Sequence, residues 1–567
     1  MRRHALHLAL AGACSMLLSC NPLLSGSLPA GMADIAMVQH VPYSGSFSYT
    51  VDPGATPRDV YFVFTNPSLT QNAAQTPAVA SGSIAVDGFS LPAPASQPLP
   101  SYNGAPQSLI DRIAEFNRDP HAYLPLGHIT RPSAALVSGL PAQNDVANTT
   151  TGSFYTDIDS SGNGTSPVNA TCRAVVGPVS FADGRARTLS IWVDDTRWIT
   201  EIDATMITAL ANRFLLNPES LNDIYHWDTS VVGEPWGPQG YSNLIPWDAK
   251  NTVTILLTHL NTSYSGSVVV GFYWAKDNFT TASLPGSNQR IMFYIDSKLY
   301  SAIETGPPYN ESGWAATNYW PKIVFSTLAH EFQHMIQFYQ KQVVLGASVG
   351  TDTWINEMCS MLMEDLVADK LGVEGPRGVL TADAGTPGNT LGRIPYFNAS
   401  SNASLAVTGS SFGLTNYALA YAFGSWLIRN YGGPDLLKRI VQCAQTDYTA
   451  VINAAGAYSG RTESMERLLQ RWSASVLLSD TTSAPPGYRY NTGGWTSFTA
   501  GSQSFNLGSI DIFNYSPQLT TYSSAAVIPA PPYYSSDVYF LAASKLSSSR
   551  TFSVTLPEGT VMSVVLK

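Results

Sequence analysis

Leu328-Ala329-His330-Glu331-Phe332-Gln333-His334-Met335-Ile336 sets two histidines four residues apart, with a glutamate directly after the first. On a helix, residues four apart lie one above the other, so both imidazoles can reach a single ion. Glu331 points at a different angle, which suits contact with a water beside the ion and makes it the candidate general base. Working outward, Val324, Leu328, Phe332, Met335, Ile336 and Tyr339 are apolar. A helix buried that fully does not carry two histidines and a glutamate without partners. Pro321 suits a first helical turn, where its missing N–H costs nothing, and the spacing predicts a helix over 321–343. With 9 histidines and 40 acidic residues in 567, chance rarely produces this pattern. The competing reading is a pair of structural histidines hydrogen-bonded in a core.

Two histidines leave a tetrahedral zinc site half filled. Thr353-Trp354-Ile355-Asn356-Glu357-Met358-Cys359-Ser360 supplies a carboxylate 23 residues after His334. The stripe Trp354, Met358, Met361 and Leu362 predicts a second helix, over 353–369, packed on the first with Glu357 turned inward. The metal ligands are therefore expected to be His330, His334 and Glu357, and the cofactor one catalytic Zn²⁺. The two motifs together, His-Glu-x-x-His and Asn-Glu-x-x-Ser, are similar to the ligand pattern of thermolysin-like metallopeptidases. The fuller wording at 328–336 and Trp-Ile-Asn-Glu at 354–357 resembles the hyicolysin family of neutral zinc metallopeptidases. Tyr225 to Gly237, Gly271-Phe-Tyr-Trp-Ala-Lys-Asp277, Ser287-Asn288 and Phe293-Tyr-Ile-Asp296 also resemble that family, so the likeness spans about 105 to 475.

The resemblance implies an α+β, gluzincin-like core with a β-rich lobe at 108–300 and a helical zinc-binding lobe at 301–480, the ion lying in the cleft between them. It implies peptide-bond hydrolysis, endopeptidase in preference to aminopeptidase because no Gly-Ala-Met-Glu-Asn sequence is present to capture a free amine. It departs from the thermolysin-like pattern at Met361, where an Asp would hydrogen-bond a ligand histidine. A ligand imidazole still needs an acceptor on its outer nitrogen. Glu364, two turns after Glu357, is the candidate, with Asp365 behind it, and Asn356 is the other supporting residue; the alternative is that both acids solvate the helix end. A donor to the developing oxyanion is also required. Tyr421-Ala-Phe-Gly424 resembles the Tyr-x-Lys-Gly segment of zinc aminopeptidases, which makes Tyr421 the candidate and Tyr417, one turn earlier, the alternative. In related enzymes an edge strand aligns the substrate by main-chain pairing, and Met292-Phe293-Tyr294-Ile295 is the strand expected in that role.

The rest of the chain sets the context. Arg2 and Arg3 precede an apolar stretch from Ala5 to Leu18, too short for a comfortable transmembrane helix, and predict a signal peptide over 1–19. Leu17-Leu18-Ser19-Cys20 resembles a bacterial lipobox, so Cys20 is the expected lipidation site, on a tether over 20–45, and the protein is expected in the cell envelope, lipid-anchored or secreted. Charged residues make up only 12% and the net charge is −10, which argues against a nucleic-acid partner because no basic patch could neutralise phosphates. The expected partners are a protein or peptide substrate and, through Cys20, a membrane.

Short β-rich runs predict a small β module over 46–90, a Pro-rich linker over 91–107 and a second β module over 481–567. Asp157-Ile-Asp159-Ser-Ser161-Gly-Asn163 alternates oxygen ligands that calcium could use; an Asx-rich turn is the competing reading. Cys172, Cys359 and Cys443 are spread too widely for a disulfide framework. Against the enzyme stands a different class: a non-enzymatic surface adhesin or envelope-binding lipoprotein with a remnant zinc site. Glu331 discriminates the two, because a closed structural site has no use for a carboxylate beside an open position.

Overall fold

A computed structural model of the chain describes residues 37–41, 45–69, 85–86, 106–120, 143–180, 186–215, 221–246, 252–265, 268–303, 313–407, 412–523 and 535–567. The expected signal peptide, Cys20 and the proline-rich stretch up to residue 105 lie outside them. No described helix is long and apolar enough to cross a membrane.

Strands β1 (Val38–Val41), β2 (Gly45–Val51), β3 (Arg58–Asn66) and β4 (Ala85–Val86) come first, then helix α1 (Pro106–Arg118). The upper lobe follows: β5 (Thr151–Ile158), β6 (Gly164–Ser180), β7 (Ala186–Asp194), β8 (Thr252–Thr258), β9 (Gly271–Tyr273) and β10 (Ile291–Asp296) form one sheet in the order β5-β6-β7-β8-β10-β9. β7 and β8 run parallel, and parallel neighbours need a crossover, which α2 (Ala204–Phe214) and α3 (Ile224–Val232) provide. Every residue of β8 and β10 is buried, as befits strands covered on both faces.

This strand order corrects one expectation. Met292 to Ile295 lie in β10, paired with β8 along one side and, from Phe293 to Ile295, with β9 on the other, so β10 is an interior strand and not the edge that a substrate could extend. The edge strand next to the helical lobe is the three-residue β9, within the longer run of apolar residues before Ala275. The loop from Asp157 to Asn163 is an Asx turn between β5 and β6. Asp159 Oδ1 accepts the N–H groups of Ser161 and Asn163 at 2.8 and 2.9 Å, and Asp157 is paired with Arg112 at 2.7 Å.

The helical lobe comprises α4 (Ser297–Ser301), α5 (Tyr319–Phe338), α6 (Thr353–Leu371), α7 (Ile394–Ala399), α8 (Leu414–Asn430), α9 (Pro434–Val441), α10 (Tyr448–Ser459) and α11 (Met465–Leu477). α5 continues into a π-helical turn, Tyr339–Val344, which accounts for the helix expected to reach 343. α6 stops where Gly372 takes a left-handed conformation, φ 68°, which costs a glycine nothing.

The chain closes with β11 (Thr496–Ala500), β12 (Gln503–Leu507), β13 (Thr521–Ser523), β14 (Ser536–Leu546), β15 (Arg550–Leu556) and β16 (Val561–Leu566). Here the expectation of two separate β modules is overturned. β3 lies between β14 and β16, and β1 pairs with β16, while β2 and β4 flank β15. The two chain ends build one sandwich. Its interior contains Phe62, Phe64, Phe540, Phe552 and Val564. The alternate residues Val63, Tyr539 and Val565 belong to the main core instead, where α11 packs against β3 and β16. Successive strand side chains point to opposite faces, so β3 reads as a continuous apolar run because both of its faces are covered.

Candidate metal centre

α5 and α6 pack together and bring their polar exceptions to one point. His330 Nε2 is 3.1 Å and His334 Nε2 3.5 Å from Glu357 Oε2, and the donor atoms of the three residues lie within 4.8 Å of one another. Ligands about 2.0–2.1 Å from a tetrahedral zinc stand about 3.3–3.5 Å apart, close to the two His–Glu distances, and the widest spacing in the group is larger. Among the described residues no other group of three or more His, Cys, Asp or Glu side chains converges in this way.

The outer nitrogens are occupied. His330 Nδ1 lies 2.7 Å from Glu364 Oε1, whose other oxygen accepts the Ser326 hydroxyl at 2.6 Å. His334 Nδ1 lies 3.0 Å from Asn356 Oδ1 and 3.0 Å from Ser360 Oγ. An acceptor at each Nδ1 puts the hydrogen there and leaves each Nε2 lone pair facing the common point. Glu364 does from two turns along α6 what an Asp at position 361 would do from one. Met361 is instead fully buried.

The electrostatics agree with a place for positive charge. Burial opposes protonation of His330, yet Glu357 and Glu364 on its two nitrogens raise its pKa well above the ordinary value. Burial likewise opposes ionisation of Glu357, yet His334 and His330 hold its carboxyl well below the usual range. Glu331 is 6% exposed. Burial raises its carboxyl above the usual range, against the pull of His330 and His334, and its Oε2 accepts the Tyr273 N–H at 2.8 Å.

The cleft in front of these groups opens to solvent and is bounded by β9, α1, α6 and Tyr417. Tyr421 is not part of it. Its hydroxyl is buried and donates to Asp365 Oδ2 at 3.1 Å, in an ion pair with Arg429 at 3.0 Å. Tyr417, the alternative, lines the cleft; burial and the adjacent Glu357 and Glu331 carboxylates raise its hydroxyl pKa well above the ordinary value. α8 packs on α6, with Tyr417 reaching Glu357 and Tyr421 meeting Asp365.

Sequence reasoning missed Asn117 of α1. Its amide accepts the Ala275 N–H at 2.8 Å and donates to the Tyr273 carbonyl at 2.9 Å, closing part of the free edge of β9. No local signal marks it, since its partners lie more than 150 residues away. Cys359, beside the centre in sequence, is fully buried, and burial pushes its thiol up to about 12, so it is inert. None of Cys172, Cys359 and Cys443 is disulfide-bonded.

Comparison with known proteins follows the same residues. A neutral metalloprotease, ShpI, from Staphylococcus hyicus is 25% identical over 253 residues, which is 43% of this chain and 50% of that protein; the chain thus spans half the length of this relative. A crystal structure of Legionella pneumophila aminopeptidase A in complex with aspartic acid is similar over 53% of this chain and 27% of that one, with 10% identity and a TM-score of 0.28. The sequence profile of one family matches residues 171–567, well over half of the protein. The chain belongs to that family, peptidase M30, the hyicolysin type that its two ligand motifs resemble.

Proposed function

We propose that the protein is a zinc-dependent endopeptidase of gluzincin-like architecture, acting on extracellular or surface proteins. The observation that carries this reading is the convergence of His330, His334 and Glu357 on one point, with Glu331 in the same cleft but outside the ligand set. When bound, the ion would polarise the attacking water and the scissile carbonyl. The protein's own groups do the rest. Glu331 takes the proton of the attacking water and passes it to the leaving amine. Tyr417 replaces Tyr421 as the donor to the oxyanion. Glu364 and Asn356 keep the two imidazoles in the tautomer and orientation that present Nε2. β9 takes over from β10 as the strand that aligns the substrate, with Gly271 at its open end.

Two further points favour this reading over its neighbours. Glu331 and Glu357 are the only acids lining the cleft among the described residues, and both have work to do, so no carboxylate is left to capture the free amine of an aminopeptidase substrate. The metal cluster has three described members, which leaves one tetrahedral position for water or substrate, whereas the structural site of a surface adhesin would be closed. Export, with a lipid anchor at Cys20, rests on the Leu17-Leu18-Ser19-Cys20 ending.

The test is Glu331→Gln, which preserves size and polarity but removes the proton acceptor. Casein hydrolysis should fall by about 10²–10⁴-fold with zinc still near one per chain. Full activity in this variant would sink the mechanism, and a wild-type protein that cleaves nothing while its zinc is held by four protein ligands would favour the adhesin.

A further inference from the structure

Beside the metal centre, on the His334 side, a second recess is framed by the end of α5, its π-helical turn, Asn117 and the Gly350-Thr351 loop. It shares Asn117, Tyr273, His334, Thr351 and Asn356 with the main cleft, of which it is a side branch. Three of the residues that line it carry a buried side-chain atom without a hydrogen-bond partner among the described residues: Gln337 Nε2, Gln342 Oε1 and Thr351 Oγ1. Their residues are 3%, 4% and 5% exposed. Leaving such atoms unpaired is costly, so a group that completes them gains affinity.

The orientation of both amides is fixed by their other halves. Gln337 Oε1 accepts from Gln333 at 2.7 Å, and Gln342 Nε2 donates to the Asn117 carbonyl at 2.8 Å. The residues around the recess therefore hold in reserve one N–H donor, one carbonyl acceptor and one hydroxyl that can serve as either. Lys341 also lines it, but its ammonium is spent on the Gln445 and Cys443 carbonyls at 2.6 and 3.0 Å. A cationic side chain would meet that ammonium, and a carboxylate would meet the Gln342 carbonyl. The position of Gly350 keeps the walls close, since a Cβ there would fall 2.6 Å from Gln342 Nε2 and 2.7 Å from the Asn117 carbonyl. The recess is narrow, with room for the tip of a short side chain but not for a ring.

We propose that this recess is a specificity subsite for an uncharged hydrogen-bonding side chain, carboxamide or hydroxyl, on a substrate residue flanking the scissile bond. The inference rests on the peptidase reading for its substrate and on the unpaired atoms for its chemistry. Near-isosteric pairs test it: Asn against Leu, Gln against Met and Thr against Val, placed in turn on each side of the cleaved bond of one peptide. Wild-type protein should prefer the polar member at least about tenfold in kcat/KM at one of the two positions, and Thr351→Val should shrink that ratio about fivefold. Thr351→Ser should restore it, and Gln337→Met is the second variant should Thr351→Val fail to fold. Affinities of the same peptides for zinc-loaded Glu331→Gln, measured by calorimetry, separate the subsite from the chemistry. A preference in affinity without any wild-type cleavage supports the subsite and refutes the peptidase. Cleavage with equal rates for both members of every pair, or equal affinities, overturns the subsite and leaves the recess a place for ordered water.

Discussion

Glu357 in the cleft and Asp537 in the terminal sandwich are both buried carboxyls, at 9% and 1% exposure, yet they settle in opposite states. Burial opposes ionisation of both. Around Glu357 the two histidines overcome it and the carboxylate stays charged. Among the described residues Asp537 has only the Thr65 hydroxyl, donating at 2.5 Å, and its pKa rises to about 7. The difference lies in the neighbours. A buried charge persists where opposite charge is supplied, and otherwise the group keeps its proton. The cleft is built to hold a cation, whereas the face of the sandwich that packs on the main core, where Asp537 lies, excludes water without supplying one.

Replacing Glu357 should produce the largest effect. Glu357→Gln removes the anionic ligand, so zinc should be lost on dialysis, activity should fall to background, and about 3 kcal/mol of metal-linked stability should disappear if zinc is supplied at some hundred times its Kd. Metal content and thermal melts on the same samples check this; retained zinc would break the contrast between the two carboxyls. Next come the tyrosines of α8. Tyr417→Phe should cost about 10²-fold in kcat, as expected for one oxyanion donor, while Tyr421→Phe, which loses only a bond to Asp365, should keep kcat and lower the melting temperature instead. The reverse ranking would return the role to Tyr421. Glu364→Ala should weaken zinc affinity about 10–100-fold, measured by competition with a chelator, and an unchanged affinity would show that the acceptor on His330 is dispensable.

The smallest effect concerns Asp537 and pH. Its folded pKa, about 7, lies above the unfolded value, so its contribution to stability is complete below about pH 4 and is lost as pH rises through 7. Between pH 6 and pH 8 this amounts to about 1.4 kcal/mol. Asp537→Asn cannot ionise, so its melting temperature should fall less than that of the parent protein over this interval. Parallel curves would mean that Asp537 is ionised throughout, like Glu357.

Much of the helical lobe was legible because its signals are local. The four-residue spacing of His330 and His334 and the stripe that turns Glu357 inward both operate within one helix. The seven-residue step from Glu357 to Glu364 is equally local, and it puts an acceptor at His330 Nδ1. The sandwich was legible only as strands. Nothing in Val60 to Thr65 indicates that its neighbours are β14 and β16, some 470 to 500 residues later.

By itself, then, the sequence determined which residues could meet an ion, because helical periodicity is imposed by backbone geometry and needs no partner. Only the tertiary structure decided which strand offers an edge, which tyrosine faces the cleft and that the two chain ends share one sandwich. β10 and β9 are both short and apolar, and one is enclosed because β8 happens to pair with it. Tyr417 and Tyr421 sit on the same face of one helix, and the line of contact between α8 and α6 chooses between them. Pairing and crossing are relations between distant segments, set by which arrangement buries the most surface with every backbone group satisfied. No window of the sequence contains both members of such a relation.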